Sequence, residues 1–217
     1  MNRAQSFDHL AERYDRLGEL TADHVTAWLP TVLPANRRRA IDLGCGAGRH
    51  AVVLADHFDQ VDAIDLSGPM IRLARRKRPR ANISYVEAGI LDITGQYDFV
   101  TSSATLHHVA DLPAVLRHIR SLLAPGGIAA LADTVSARPA TPRWWLYGGQ
   151  LRILTRNLAS RNPHAWEIFR LATGDWLEHR ASDRYLSRET FEQTYAAALP
   201  GARFTRVGNQ HAALFEK

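Results

Sequence analysis

The sequence predicts an α/β fold built on a mostly parallel sheet. Short apolar runs alternate with helical spacings between residues 40 and 131. A glycine-rich turn directly follows the first of these runs, and the last two runs flank a Gly-Asn turn. A chain of 217 residues suits one domain with a core of useful size.

The elements follow in order. Up to Trp28, Phe7, Leu10, Ala11, Tyr14 and Leu17 fall on one helical stripe, and Pro30 and Pro34 close that region. Strands are expected at 40–43, 61–64, 83–86, 97–101 and 128–131, with helices at 49–58, 69–77 and 112–123. Ser67 and Asp111 stand where N-caps belong, each followed by a proline in the first turn. Pro125-Gly126-Gly127 is expected to stop the third helix before the fifth strand.

The alternation breaks over 133–186. That stretch holds Trp144, Trp145, Trp166 and Trp176 and reads as helical pieces interrupted by Pro139, Pro142, Gly148-Gly149 and Pro163. A helix at 188–198, capped by Ser187, and strands at 203–207 and 212–215 complete the chain. Gly208-Asn209 between the last two makes them an antiparallel hairpin.

Composition narrows the class. Hydrophobic residues at 46% and charged residues at 23% are ordinary for a globular protein. No apolar run approaches the roughly 20 residues of a membrane span. The polar start carries no apolar signal core, so no secretory leader and a cytoplasmic location are expected. A single cysteine, Cys45, excludes an internal disulfide and suits a reducing compartment. The net charge of +5 comes almost wholly from arginine, which reads as codon bias first and as a field for anionic partners second.

The turn after the first strand is Asp42-Leu43-Gly44-Cys45-Gly46-Ala47-Gly48-Arg49. A dinucleotide fingerprint needs glycine at position 49, where Arg49 stands, and no Lys-Ser or Lys-Thr pair exists for a phosphate loop. Both phosphate readings weaken. The stretch resembles instead the first motif of class I S-adenosylmethionine-dependent methyltransferases, small-molecule type. Further landmarks continue that resemblance: Asp65 ending the second strand, Tyr97-Asp98-Phe99-Val100, Leu106-His107-His108-Val109 and Leu122-Leu123-Ala124-Pro125-Gly126-Gly127.

The resemblance implies a Rossmann-like seven-stranded sheet, mostly parallel, with helices on both faces, an antiparallel C-terminal hairpin and a helical cap insertion. It implies a single methyltransferase domain over 1–217, with a helical lid at 1–34 and a substrate cap at 139–186. S-adenosyl-L-methionine is the implied cofactor, held by Asp42, Gly44, Cys45, Gly46, Gly48, Asp65, Leu66, Met70, Gly89, Ile90 and Ser103. Asp65 would clasp the ribose diol, since a carboxylate only accepts hydrogen bonds. Gly89 departs from the family, which usually has an aspartate there for the adenine amino group. Glu87 would substitute, or the backbone around Ile90 would hold the adenine edge, or affinity would be lower.

For the chemistry, His107 or His108 is expected as base or substrate anchor, beside the alternative that they only brace the loop. Tyr14 is expected to close over the sulfonium or the substrate, beside the alternative of core packing. Trp144, Trp145 and Tyr147 are the expected acceptor pocket, apolar and suited to a flat or greasy molecule. No metal is expected. The leading activity is in-line methyl transfer to a small-molecule acceptor, with oxygen or nitrogen favoured over carbon. An RNA methyltransferase is the alternative raised by Arg72-Leu73-Ala74-Arg75-Arg76-Lys77-Arg78-Pro79-Arg80 and the net charge, and Gly89 with the unassigned base raises a second, a cofactor-binding protein without transfer. A nicotinamide oxidoreductase is the weakest reading.

Overall fold

A computed structural model describes residues 10–137 and 142–217. Phe7 and Pro139 lie outside the described residues. Helices α1 (Ala11–Leu20) and α2 (His24–Trp28) precede strand β1 (Arg39–Leu43). The alternation then runs α3 (Arg49–Ala55), β2 (Gln60–Asp65), α4 (Gly68–Lys77), β3 (Ile83–Glu87), β4 (Tyr97–Ser103), α5 (Leu112–Leu122) and β5 (Leu123–Asp133). Helices α6 (Arg143–Ala159), α7 (Ala165–Ala172) and α8 (Asp175–Ser182) are inserted before α9 (Arg188–Ala198), β6 (Arg203–Val207) and β7 (Gln210–Glu216).

The seven strands form one sheet in the order β3-β2-β1-β4-β5-β7-β6. The first five pair in parallel, β7 runs antiparallel to β5, and the hairpin places β6 on the outer edge. Alternation along β1 sorts the two cores. Ile41 and Leu43 join Leu116, Ile119, Phe191 and Tyr195 beneath α5 and α9. Ala40 faces the other way, with Val25, Leu54, Ile71 and Ala74 of α2, α3 and α4. Helices therefore cover both faces, as a sheet buried on two sides requires.

The expected caps form: the Ser67 hydroxyl accepts from the Met70 amide at 3.3 Å and the Asp111 carboxylate from the Ala114 amide at 2.9 Å. Three differences have local causes. Helix α3 stops at Ala55, earlier than its apolar spacing suggested, because the Asn82 amide donates to the carbonyls of Ala55 and Phe58 at 2.9 and 3.0 Å. The Pro-Gly-Gly turn lies inside β5, since Leu123 already pairs with Tyr97 and the ladder resumes at Ile128 opposite Phe99. Gly126, at φ 72°, makes that excursion possible. Gly148 and Gly149 do not interrupt α6. Their cost of about 1 kcal/mol each is offset where Gln150 and Leu154 bury against the neighbouring helices.

The inserted helices leave and rejoin the sheet at one point. Val135 bridges Leu186, and the Ser136 amide donates to the Leu186 carbonyl at 2.9 Å. Helix α1 docks on this layer through Arg13, whose guanidinium donates to the carbonyls of Arg170, Leu171 and Thr173 at the end of α7. Carbonyls at a helix end lack the amide partners of the helix interior, and a cation suits them. None of the described helices is long and apolar enough to cross a membrane.

Candidate functional site

A cleft of about 1240 Å³ opens along the carboxyl edge of the parallel strands, between the sheet and the helical layer. Parallel strands aim their following loops at this edge, which is where such folds bind ligands.

The glycine loop forms its floor. Gly44 has φ 75°, and a Cβ there would run into Thr105, so only glycine allows β1 and the loop after β4 to approach this closely. Gly48 plays the corresponding part on the far side, packed against Tyr85, and does not line the cleft. The Gly46 amide donates to Asp65 Oδ2 at 2.8 Å, and the Ser67 amide to Oδ1 at 2.8 Å. One carboxylate thus ties the loops after β1 and β2 together. Cys45 lines the cleft beside them, and burial raises its thiol pKa well above the ordinary range.

Asp42 is almost fully buried and stands outside the cleft lining. Neither carboxylate oxygen has a hydrogen-bond partner among the described residues. Burial is the main cause that pushes its pKa up to about 6. Arg49, the first residue of α3, brings the opposite charge: its guanidinium lines the cleft, with Nη1 buried and unpartnered among the described residues. It lies close over Gly18 of α1, where any side chain would displace it. In the sequence, Arg49 marks only the absence of a dinucleotide fingerprint.

The next wall is a slot between Leu66, Met70, Gly89, Ile90, Leu91 and Asp92. Glu87 lies outside the cleft lining, with its carboxylate against Gly68. The acidic group beside Gly89 is Asp92 instead. Its Oδ2 accepts from the Gly89 amide at 3.1 Å and fills the space a Gly89 side chain would need. The short 3-10 turn Ile90–Asp92 folds that carboxylate back, a placement that strand-and-helix spacing did not reveal.

At the opposite end stand the two histidines, on a 3-10 turn that follows β4. His107 is bound twice by Asp133 of β5: its amide donates to Oδ2 at 2.9 Å, and Nδ1 pairs with Oδ1 at 2.6 Å. Burial opposes the charged imidazole, but Asp133 outweighs it and raises the His107 pKa. His108 differs, because burial and the neighbouring His107 charge lower it to about 4. Facing both is Asp183, buried at the end of α8. Its Oδ2 accepts from the Tyr185 hydroxyl at 2.7 Å, and His179 Nε2 lies 3.4 Å from Oδ1. Ser103 also lines the cleft, its hydroxyl donating to Gln210 at 3.2 Å.

Tyr14 lines the cleft from α1, partly buried, with its ring tilted against Trp176 of α8 at 5.0 Å. Burial raises its pKa. Trp144, Trp145 and Tyr147 are not part of the lining. Trp144 is 70% exposed, and the other two are about half exposed. The inserted helices turn Gln150, Arg156, Asn157, Trp176, His179 and Arg180 inward instead. The arginine run is engaged within the molecule. Lys77 and Arg78 pair with buried Asp15 at 2.6 and 2.9 Å, Arg76 pairs with Glu12 at 2.7 Å, and Arg75 donates to the Tyr85 carbonyl.

Residues 8–198 match the sequence model of a family described as a methyltransferase domain. An uncharacterized methyltransferase of Mycobacterium tuberculosis is 27% identical over 190 residues, covering 85% of this chain and 89% of that protein. The demethylmenaquinone methyltransferase of Beutenbergia cavernae is 31% identical over 182 residues, covering 80% of this chain and 75% of the relative. A solved structure described as a DhpI–SAH complex has the same fold, with a TM-score of 0.61 at 19% identity over 100% of this chain and 98% of the other.

Proposed function

This chain belongs to the S-adenosylmethionine-dependent methyltransferases, and we propose that it methylates an oxygen or nitrogen of a polar small molecule. The observation that carries the reading is the His107–Asp133 pair, which shares one cleft with the glycine loop. Because Asp133 accepts from Nδ1–H, the Nε2 lone pair of neutral His107 remains for chemistry in the cleft.

The residues present fit the cofactor. The unpartnered Nη1 of Arg49 suits the methionyl carboxylate, since a buried cation calls for an anion. The Asp65 carboxylate, at the end of β2 in the cleft, suits the ribose hydroxyls because it only accepts hydrogen bonds, and Asp42 sits behind the loop as a charge for the methionyl ammonium. Leu66, Met70, Ile90 and Leu91 suit the faces of the adenine, and Asp92 suits its amino group in place of the aspartate absent at Gly89. Cys45, Gly46 and Ser103 shape the floor, and Gly48 supports the loop from its far side.

When bound, the cofactor supplies an electrophilic methyl group on a sulfonium leaving group. The chain's own part is alignment and exclusion of water, the larger share of the barrier in a displacement of this kind. Tyr14 and Trp176 close the cleft from two helices at once and give the sulfonium charge an aromatic neighbour. The His107, His108 and Asp183 group meets the acceptor and takes up its activation. Polar Gln150, Arg156, Asn157 and Arg180 favour a polar acceptor over a greasy one.

Calorimetry with the demethylated cofactor and methyl transfer from labelled cofactor to hydroxylated and aminated small molecules test the reading. Arg49→Met and Asp65→Ala should each weaken binding at least tenfold. Unchanged affinity refutes the binding assignment, and no turnover across the panel refutes the transfer.

A further inference from the structure

We propose that His107, His108 and Asp183 form a binding site for a divalent transition-metal ion at the acceptor end of the cleft. The inference deepens the methyl-transfer reading and rests on it for the metal's use, though not for its binding. Each of the three residues offers one ligand atom, and these atoms lie within 4.8 Å of one another.

The spacing is the first argument. His107 Nε2 stands 4.0 Å from Asp183 Oδ2, and His108 Nδ1 stands 3.8 Å from Oδ1. These separations are too long for hydrogen bonds. Two donors bound to one ion at about 2.1 Å stand roughly 3–4 Å apart, depending on the bond angle. The gap is the size of an ion rather than of a proton.

Charge is the second argument. Asp183 is 7% exposed and follows the last turn of α8, where the helix carbonyls already make the potential negative. A buried carboxylate in that position favours cations around it. Arg184 donates to the Asp183 carbonyl at 3.1 Å, Arg143 pairs with Glu178 at 2.8 Å on the surface, and the carboxylate faces the two imidazoles.

The outer partners are the third argument. Ligand imidazoles commonly give their second nitrogen to a carboxylate, which fixes the ring and its tautomer. Asp133 does this for His107 at 2.6 Å, and the Tyr185 hydroxyl orients Asp183 at 2.7 Å. Two imidazoles and one carboxylate select zinc- or iron-class ions rather than magnesium, which prefers oxygen ligands. His179, 3.4 Å from Asp183, borders the site and is not needed as a ligand.

All three ligands line the cleft, so the ion's remaining positions face the acceptor. A hydroxyl that binds there gives its proton to solvent water at neutral pH, because the ion lowers its pKa. The resulting oxygen forms the new bond to the methyl carbon while the carbon–sulfur bond breaks, and that electron pair stays on sulfur. The acceptor class narrows to hydroxyl-bearing molecules.

Chelator-stripped protein titrated with Co²⁺ and Zn²⁺ in calorimetry and visible spectroscopy is the test. One equivalent should bind with micromolar affinity or better, and Co²⁺ should develop ligand-field bands. His108→Gln and Asp183→Asn should each weaken binding at least tenfold, and Tyr185→Phe should weaken it about tenfold. Affinity for the demethylated cofactor, unchanged in the variants, reports that the fold is intact. Absence of stoichiometric uptake overturns the site, as does equal uptake by the parent and both ligand variants. Methyl transfer undiminished in stripped protein overturns the metal's use. Metal uptake without transfer to any acceptor leaves the site standing and refutes the methyl-transfer reading alone.

Discussion

Asp133 holds His107 by both carboxylate oxygens, one on the main-chain amide at 2.9 Å and one on Nδ1 at 2.6 Å. Ring, tautomer and loop are therefore set by a single residue at the end of β5. Asp133→Asn keeps the shape but offers an amide whose orientation cannot satisfy both donors. Methyl transfer should fall about 10- to 100-fold while affinity for the demethylated cofactor is unchanged. A fall in cofactor affinity of the same size would mean that Asp133 serves only the fold.

Adenine recognition gives a second prediction. Asp92 occupies the space beside Gly89 and already accepts from that amide. Asp92→Ala should weaken the demethylated cofactor about tenfold. The analogue with inosine in place of adenosine separates recognition from loop support. Wild type should discriminate against it, and the variant should bind both alike. Equal discrimination by both proteins would exclude Asp92 as the amino-group acceptor.

The sheet was legible because its signals are local. Short apolar runs, caps at Ser67 and Asp111, and the Gly208-Asn209 turn each act within a few residues, and all appear in the structure. The glycine loop and Asp65 were legible for a related reason: a β-α turn allows few placements. What escaped was set by distant packing. Asp183 reaches His107 only because the insertion rejoins the sheet at Leu186. Trp144 and Tyr147 carry an aromatic signal, yet they stand outside the cleft lining, while Trp176 belongs to it. Residue type alone could not tell these tryptophans apart.

Asp42 makes a pH prediction for the cofactor-free protein. Its folded pKa, about 6, lies above the ordinary 3.8, mainly through burial. Between these values the folded state holds a proton that the unfolded state has lost. Stability therefore falls as pH rises from about 4 to 6 and levels off above, by about 2–3 kcal/mol. Asp42→Asn should remove that fall, so that its melting advantage over wild type grows across this window. The same variant should bind the demethylated cofactor more weakly. A pH-independent difference in melting would refute the buried-carboxylate account.

Helix α1 is held by charge as much as by packing, which yields the last prediction. The Asp15 side chain is fully buried, and burial alone would raise its pKa, but Lys77 and Arg78 outweigh that and lower it. Glu19 is lowered too, chiefly by its bond to Lys77. Carboxyls with depressed pKa values contribute stability above the unfolded pKa and lose it as pH falls through the folded one. Docking of α1 should therefore loosen below about pH 4. Asp15→Asn should mimic this at neutral pH, because it leaves two cations facing a neutral amide. The cost is about 2–4 kcal/mol, somewhat under that of breaking a fully buried pair, since Lys77 remains 36% exposed. That cost falls on one helix, so trypsin cleavage after Arg13 or Arg16 should quicken at least tenfold while the sheet amides keep their exchange protection. Uniform loss of protection across the sheet would show instead that α1 and the core unfold as one unit.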